Sequence, residues 1–184
     1  MERRDLLCAL GAAAAFTLMP RTAQAAWATV AAAPDVPARV LTDERSALVA
    51  ALADAIIPRT DTPSATDVGV TAFIDVIVAE YYSDDERAVF LSGLDSIGAH
   101  AKLTGAASFA EMTPDARKTL LDSLDQPLDR QAPEARAWQR LKGLVIHGYF
   151  TSERVQKDVL KTVIMPMRFD GNAPMKAATG GAHG

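Results

Sequence analysis

One cysteine occurs in 184 residues, Cys8, and it lies inside an N-terminal segment whose features mark it for removal. Without it, disulfides, thiolate metal sites, iron–sulfur clusters and thioether-linked haem are excluded. Histidine is almost as scarce. His100, His147 and His183 stand far apart, and none has the spacing of a metal-binding array. No glycine-rich loop follows a strand-like run, so neither a dinucleotide fingerprint nor a phosphate loop is present. No segment alternates with period two for long enough to read as a strand. A membrane span needs about twenty apolar residues, and the run near the N-terminus has about fourteen.

What the chain does have is an address. Arg3 and Arg4 are followed by Asp5, Leu6 and Leu7, then by an alanine-rich apolar run to Met19 and a stop at Pro20. Ala23-Gln24-Ala25 supplies the small-x-small pattern of a leader cleavage site. Paired arginines before two leucines point to the twin-arginine route, which exports proteins already folded. The expectation is therefore a leader over 1–25 carrying its signal in Arg3, Arg4, Leu6 and Leu7, and a periplasmic product. Taking 25 from 184 leaves 159 residues, enough for one domain with its own core. The leader carries Arg3, Arg4 and Arg21 against Glu2 and Asp5, so the remainder stands at −5 where the whole chain is −4. A mildly acidic product argues against nucleic acid and against an anionic membrane surface.

Residues 26–41, with Pro34 and Pro37, read as an extended linker. Helix signals begin at Thr42, an N-cap followed by Asp43 and Glu44. Leu48, Val49, Leu52, Ala53 and Ile56 give that helix its apolar stripe, and Pro58 ends it. A loop from Arg59 to Thr66 leads to a second helix over 70–82, with Phe73, Ile74, Ile77 and Val78 on one side. Ser83 and Glu86 form a capping box before a third helix bearing Phe90, Leu94, Ile97 and Ala101. Thr113-Pro114 caps a fourth, displaying Ala116, Leu120, Leu121 and Leu124. Pro133 opens a longer one with Trp138, Leu141, Leu144, Val145 and Gly148 facing inward. Thr151 reads as the cap of a short helix to Leu160, with Ser152 and Glu153 behind it. The fold expected is all-α: a single-domain bundle of five or six helices over 42–170, with a flexible tail over 171–184.

No self-sufficient catalytic centre emerges. His147, on an apolar helix, is the one candidate ligand or base, and a half-buried histidine bonded to backbone explains it better. Carboxylates cluster at helix starts, where capping accounts for them. Catalytic, cofactor-binding and metal-binding residues are accordingly expected to be none in this chain. The aromatic pairs Tyr81-Tyr82 and Tyr149-Phe150 fit either contact surface or core.

Two segments carry a family signature. The first runs Ala53-Asp54-Ala55-Ile56-Ile57-Pro58-Arg59-Thr60-Asp61-Thr62-Pro63-Ser64-Ala65 and continues through Gly69-Val70 to Phe73-Ile74-Asp75. The second is Gly148-Tyr149-Phe150-Thr151-Ser152-Glu153. With the Ser108-Phe109 turn before the Thr-Pro cap, they resemble the gluconate 2-dehydrogenase subunit 3 family. The resemblance implies a small secreted subunit beside a large FAD-bearing dehydrogenase of the glucose–methanol–choline type. That partner oxidises a sugar, sugar acid or polyol, and a multihaem cytochrome c often takes the electrons towards quinone. The small subunit usually bears the twin-arginine signal for both, and no catalytic residues are ascribed to it. After Glu153 this chain departs from the pattern: Val155 and Ile164-Met165-Pro166-Met167-Arg168-Phe169 stand where members have glycine and then tyrosine-proline-glycine.

The signature loop (Pro58, Arg59, Asp61, Thr62, Pro63) and the turn (Tyr149, Phe150, Ser152, Glu153) are the candidate partner interface. The plainer alternative is that Pro58 and Pro63 only set a turn between helices. Two other functions compete with the subunit reading. One is a free-standing periplasmic helical binding protein, the other an enzyme centred on His147.

Overall fold

The computed structural model describes residues 21–32, 40–126 and 129–162. Among them are six α-helices and no strand, so the all-α expectation holds. The helices are α1 (Arg21–Ala32), α2 (Asp43–Ile56), α3 (Val70–Glu80), α4 (Asp84–Leu103), α5 (Pro114–Asp125) and α6 (Pro133–Thr151). Short 3₁₀ turns cover Thr66–Val68 and Phe109–Glu111, and a π-helical turn covers Val155–Val159. The leader residues Arg3, Arg4, Leu6 and Leu7, the Ile164–Phe169 stretch, the tail and His183 lie outside the described residues. No helix among the described residues is long and apolar enough to cross a membrane.

Helix starts follow local chemistry. The Thr42 hydroxyl accepts the Arg45 N–H at 3.4 Å, satisfying one of the orphan donors of the first turn of α2. Both arms of the Ser83–Glu86 capping box form at the head of α4. Thr113 caps α5 with Pro114 as its first residue. The end of α3 is closed from outside: the Arg87 guanidinium donates to the carbonyls of Val78, Ala79 and Tyr82.

The apolar stripes turn inward together. Leu52 and Val49 from α2, Phe73, Ile74 and Val78 from α3, Phe90, Leu94 and Ile97 from α4, and Leu141 and Val145 from α6 make the core. α4 against α6 is the most extensive helix pair. Their close approach rests on Gly93, whose bare Cα faces the Pro133 carbonyl and the Ala137 methyl. α5 is tied to α6 by Asp125, which accepts from the Trp138 indole N–H at 2.6 Å and from Lys142 at 2.7 Å.

Two sequence expectations need correction. Residues 27–32 are not extended: α1 spans the leader–linker boundary, and Ala23 and Ala26 are fully buried against the core. Alanine is the strongest helix former, and Trp27 supplies the tertiary anchor that an alanine run lacks by itself. Residues 33–39, which contain Pro34 and Pro37, lie outside the described set. The second correction concerns Thr151, which is the last residue of α6 rather than a cap. Its hydroxyl donates back to the His147 carbonyl at 2.7 Å and accepts the Trp27 indole N–H at 3.0 Å. The Ser152 hydroxyl accepts the Val155 N–H at 3.4 Å, and the segment that follows is a π-helical turn, not an α-helix.

Candidate functional site

The two signature segments, distant in sequence, meet in space. α2 ends at Ile56, and the loop after it closes on itself where the Ala65 N–H donates to the Ile57 carbonyl at 3.1 Å. Asp54, in the last turn of α2, accepts both the Thr66 N–H at 3.0 Å and the Thr66 hydroxyl. Ser64 and Asp67 exchange bonds: the Ser64 N–H reaches an Asp67 carboxylate oxygen at 2.8 Å, and the Asp67 N–H reaches the Ser64 hydroxyl at 3.3 Å. That is the capping-box pattern turned onto a single 3₁₀ turn.

The second segment locks the first from the far side. Tyr149 near the end of α6 donates its hydroxyl to the Pro63 carbonyl at 2.9 Å across 86 positions. Beyond the helix, Arg154 donates to the Asp67 carbonyl at 3.1 Å. Gly148 lets α6 come close to α3, because a Cβ there would stand 2.8 Å from the Phe73 ring.

The candidate interface residues therefore divide. Tyr149 and Ser152 are buried, at 4% and 2% exposure, and hold the junction together. Thr62 and Pro63 are half-buried. Pro58, Arg59, Asp61, Phe150 and Glu153 are exposed and form its outer rim. Phe150 is 46% exposed. Arg59, its side chain 72% exposed, pairs with Asp67, and Glu153 pairs with Lys157. Sequence reasoning missed Asp54, Thr66, Asp67 and Arg154 as the wiring. The Ser64-x-x-Asp67 spacing was a usable signal for one pair; the Asp54 and Arg154 bonds had none.

The electrostatics fit a structural device. The Ser64 backbone N–H foremost, with its hydroxyl, Arg59 and Arg154 adding to it against the cost of burial, holds the Asp67 carboxyl below its ordinary range. A carboxylate with a depressed native pKa contributes stability above its unfolded pKa and loses it as the pH falls. Melting temperature should then decline on acidification below about pH 5, and Asp67→Asn should flatten part of that acid limb. Melting curves at a series of pH values for the two proteins read this directly; identical acid slopes would remove Asp67 from the account.

Among the described residues no group of three His, Cys, Asp or Glu side chains is placed to hold a metal ion. His147 is half-buried with its ring 6.1 Å from that of Phe73, and His100 is exposed on α4. The Thr66 hydroxyl at the junction is engaged by Asp54 and Ser64, and the outer side presents a fixed rim of arginine, carboxylate and phenyl groups. A separate cleft of about 460 Å³ lies between α2 and α4, lined by Leu48, Leu94 and Phe109. The ion pairs Arg45–Asp95 and Lys102–Glu44 stand at its edge.

No curated protein and no solved structure matches the chain significantly. The family model described as gluconate 2-dehydrogenase subunit 3 matches residues 43–170, from the first residue of α2 to beyond the π-helical turn. Both halves of the junction fall within that range, and the chain belongs to the gluconate 2-dehydrogenase subunit 3 family.

Proposed function

We propose that this chain is the non-catalytic small subunit and export escort of a periplasmic FAD-dependent dehydrogenase that oxidises a sugar, sugar acid or polyol. The observation that carries the reading is the junction itself. Two signature segments spend their polar groups on one another and leave a rim suited to contact. The family's description as a subunit supports a larger partner. FAD belongs to that partner, and haem c, where present, to a third subunit. The twin-arginine leader serves both proteins because that route carries a folded pair. Pro58, Arg59, Asp61, Phe150 and Glu153 dock the partner, while Thr62, Pro63, Tyr149 and Ser152 hold them in place.

One fractionation series tests both claims. Arg3→Lys with Arg4→Lys should strand this chain and the flavoprotein together in the cytoplasm. Arg59→Ala with Phe150→Ala should leave the chain folded and exported but without its yellow partner, since arginine and aromatic side chains that anchor an interface each carry about 2 kcal/mol of binding. The subunit alone should be colourless. A flavoprotein that reaches the periplasm in the first variant defeats the escort role, and unchanged co-purification in the second moves the interface elsewhere. The cleft between α2 and α4 favours the rival reading, a free-standing binding protein, which predicts a stable chain purified without any partner.

A further inference from the structure

α1 runs straight through the site where the leader should be cut. Ala23-Gln24-Ala25 occupies the opening turns of the helix; Ala25 itself faces outward, while Ala23 and Ala26 on either side of it have no exposed surface and fix the helix to the core. The Ala25 carbonyl, the group a leader peptidase must attack, accepts a hydrogen bond from the Thr29 hydroxyl at 3.0 Å. Two residues on, the Trp27 ring stacks on Phe73 with centroids 5.0 Å apart and planes 24° apart. Its indole N–H is held by Thr151 at the end of α6. α1 packs chiefly on α3, within the core and upstream of the family-matched residues.

A peptidase needs the chain around its scissile bond unwound and accessible, so backbone that is helical and packed resists cutting. We propose that docking of α1 seals the processing site: the folded chain keeps residues 1–25, and cleavage waits for α1 to leave its seat on Phe73. The reaction is ordinary hydrolysis. Water adds across the Ala25–Ala26 amide, leaving a carboxylate on Ala25 and an amine on Ala26. The rate is then set by the fraction of chains with α1 undocked, because only local opening exposes the bond. A chain exported in its folded state arrives with its leader still attached. Trp27 is the latch. Its removal takes away the stacking and the indole bond while leaving α2 to α6 intact.

The inference rests on the leader reading, and the test separates the two. Full-length chain in detergent and a synthetic peptide of residues 1–32 are each incubated with purified leader peptidase, and products are read by intact mass. The peptide should be cut after Ala25. The wild-type chain should be cut at least about tenfold more slowly, and Trp27→Ala should recover most of the peptide's rate. Thr29→Val, which removes only the hydroxyl on the Ala25 carbonyl, should give a smaller gain. Equal rates for the wild-type chain and the peptide would overturn the seal, whatever the variants do. A peptide left uncut would overturn the leader reading and the seal with it.

Discussion

Gly93→Ala should destabilise the domain by about 3 kcal/mol, a fall of about 10 °C in melting temperature. A Cβ at this position would sit 2.3 Å from the Pro133 carbonyl oxygen and 2.4 Å from the Ala137 Cβ. Real Cβ atoms do not approach backbone so closely, and neither contact is the yielding end of a long side chain. The new methyl must therefore push α4 off α6, and that pair is the broadest helix contact in the domain. Close-packed interiors pass such a displacement on to their neighbours. Gly143→Ala is the matched control. Nothing lies within 4 Å of a Cβ there, so the substitution only relieves the entropic cost of glycine in α6 and should stabilise by about 0.5–1 kcal/mol. Thermal melts of the two variants should move in opposite directions. If Gly93→Ala melts within a degree or two of wild type, the close α4–α6 packing is wrong.

Asp75→Ala should cost about 2–4 kcal/mol, since removing one acceptor strands more than one donor. Asp75 is a buried carboxylate on α3, only 6% exposed. One of its oxygens accepts the backbone N–H groups of Val40 and Leu41 at 3.0 and 2.9 Å. Leu41 is itself buried, so its amide cannot turn to water when the acceptor is lost. These two bonds seat the chain where it enters α2, just ahead of the Thr42 cap. Asp75→Asn keeps an oxygen in place and should recover part of the loss, because that oxygen can still accept both backbone N–H groups. Urea midpoints give the magnitudes, and hydrogen exchange at Leu41 reports the site. An Asp75→Ala variant that loses less than about 0.5 kcal/mol, with Leu41 still protected, would show that the carboxylate is not the anchor.

Both substitutions fall on positions whose importance is non-local, and that separates what was legible from what was not. The Ser83–Glu86 box, the Thr42 and Thr113 caps and the proline starts at Pro114 and Pro133 were readable because each partner lies within four residues. The stripe of Phe90, Leu94, Ile97 and Ala101 was readable for a similar reason: helical period alone puts them on one face, and all four are buried. α1 was missed because its alanines carry no stripe. Phe73 and Thr151, both far along the chain, make Trp27 an anchor. Thr151 was misplaced because a hydroxyl that can cap a helix can equally bond back into the one before it.

The candidate site divides along the same line. Both signature segments stood out in the sequence, but Pro63 and Tyr149 contain nothing that names the other as partner. Which members would be buried supports and which the exposed rim was settled by the packing of α6 against the loop. By itself, the sequence determined the helices from α2 onward, their inward faces and the family, because capping and periodicity are properties of neighbouring residues. The tertiary structure alone decided that α1 belongs to the core, that Gly93 sets the spacing of α4 and α6, and that Tyr149 is buried with its hydroxyl on the Pro63 carbonyl. Those facts depend on groups brought together by the whole fold, and local propensity carries no information about them.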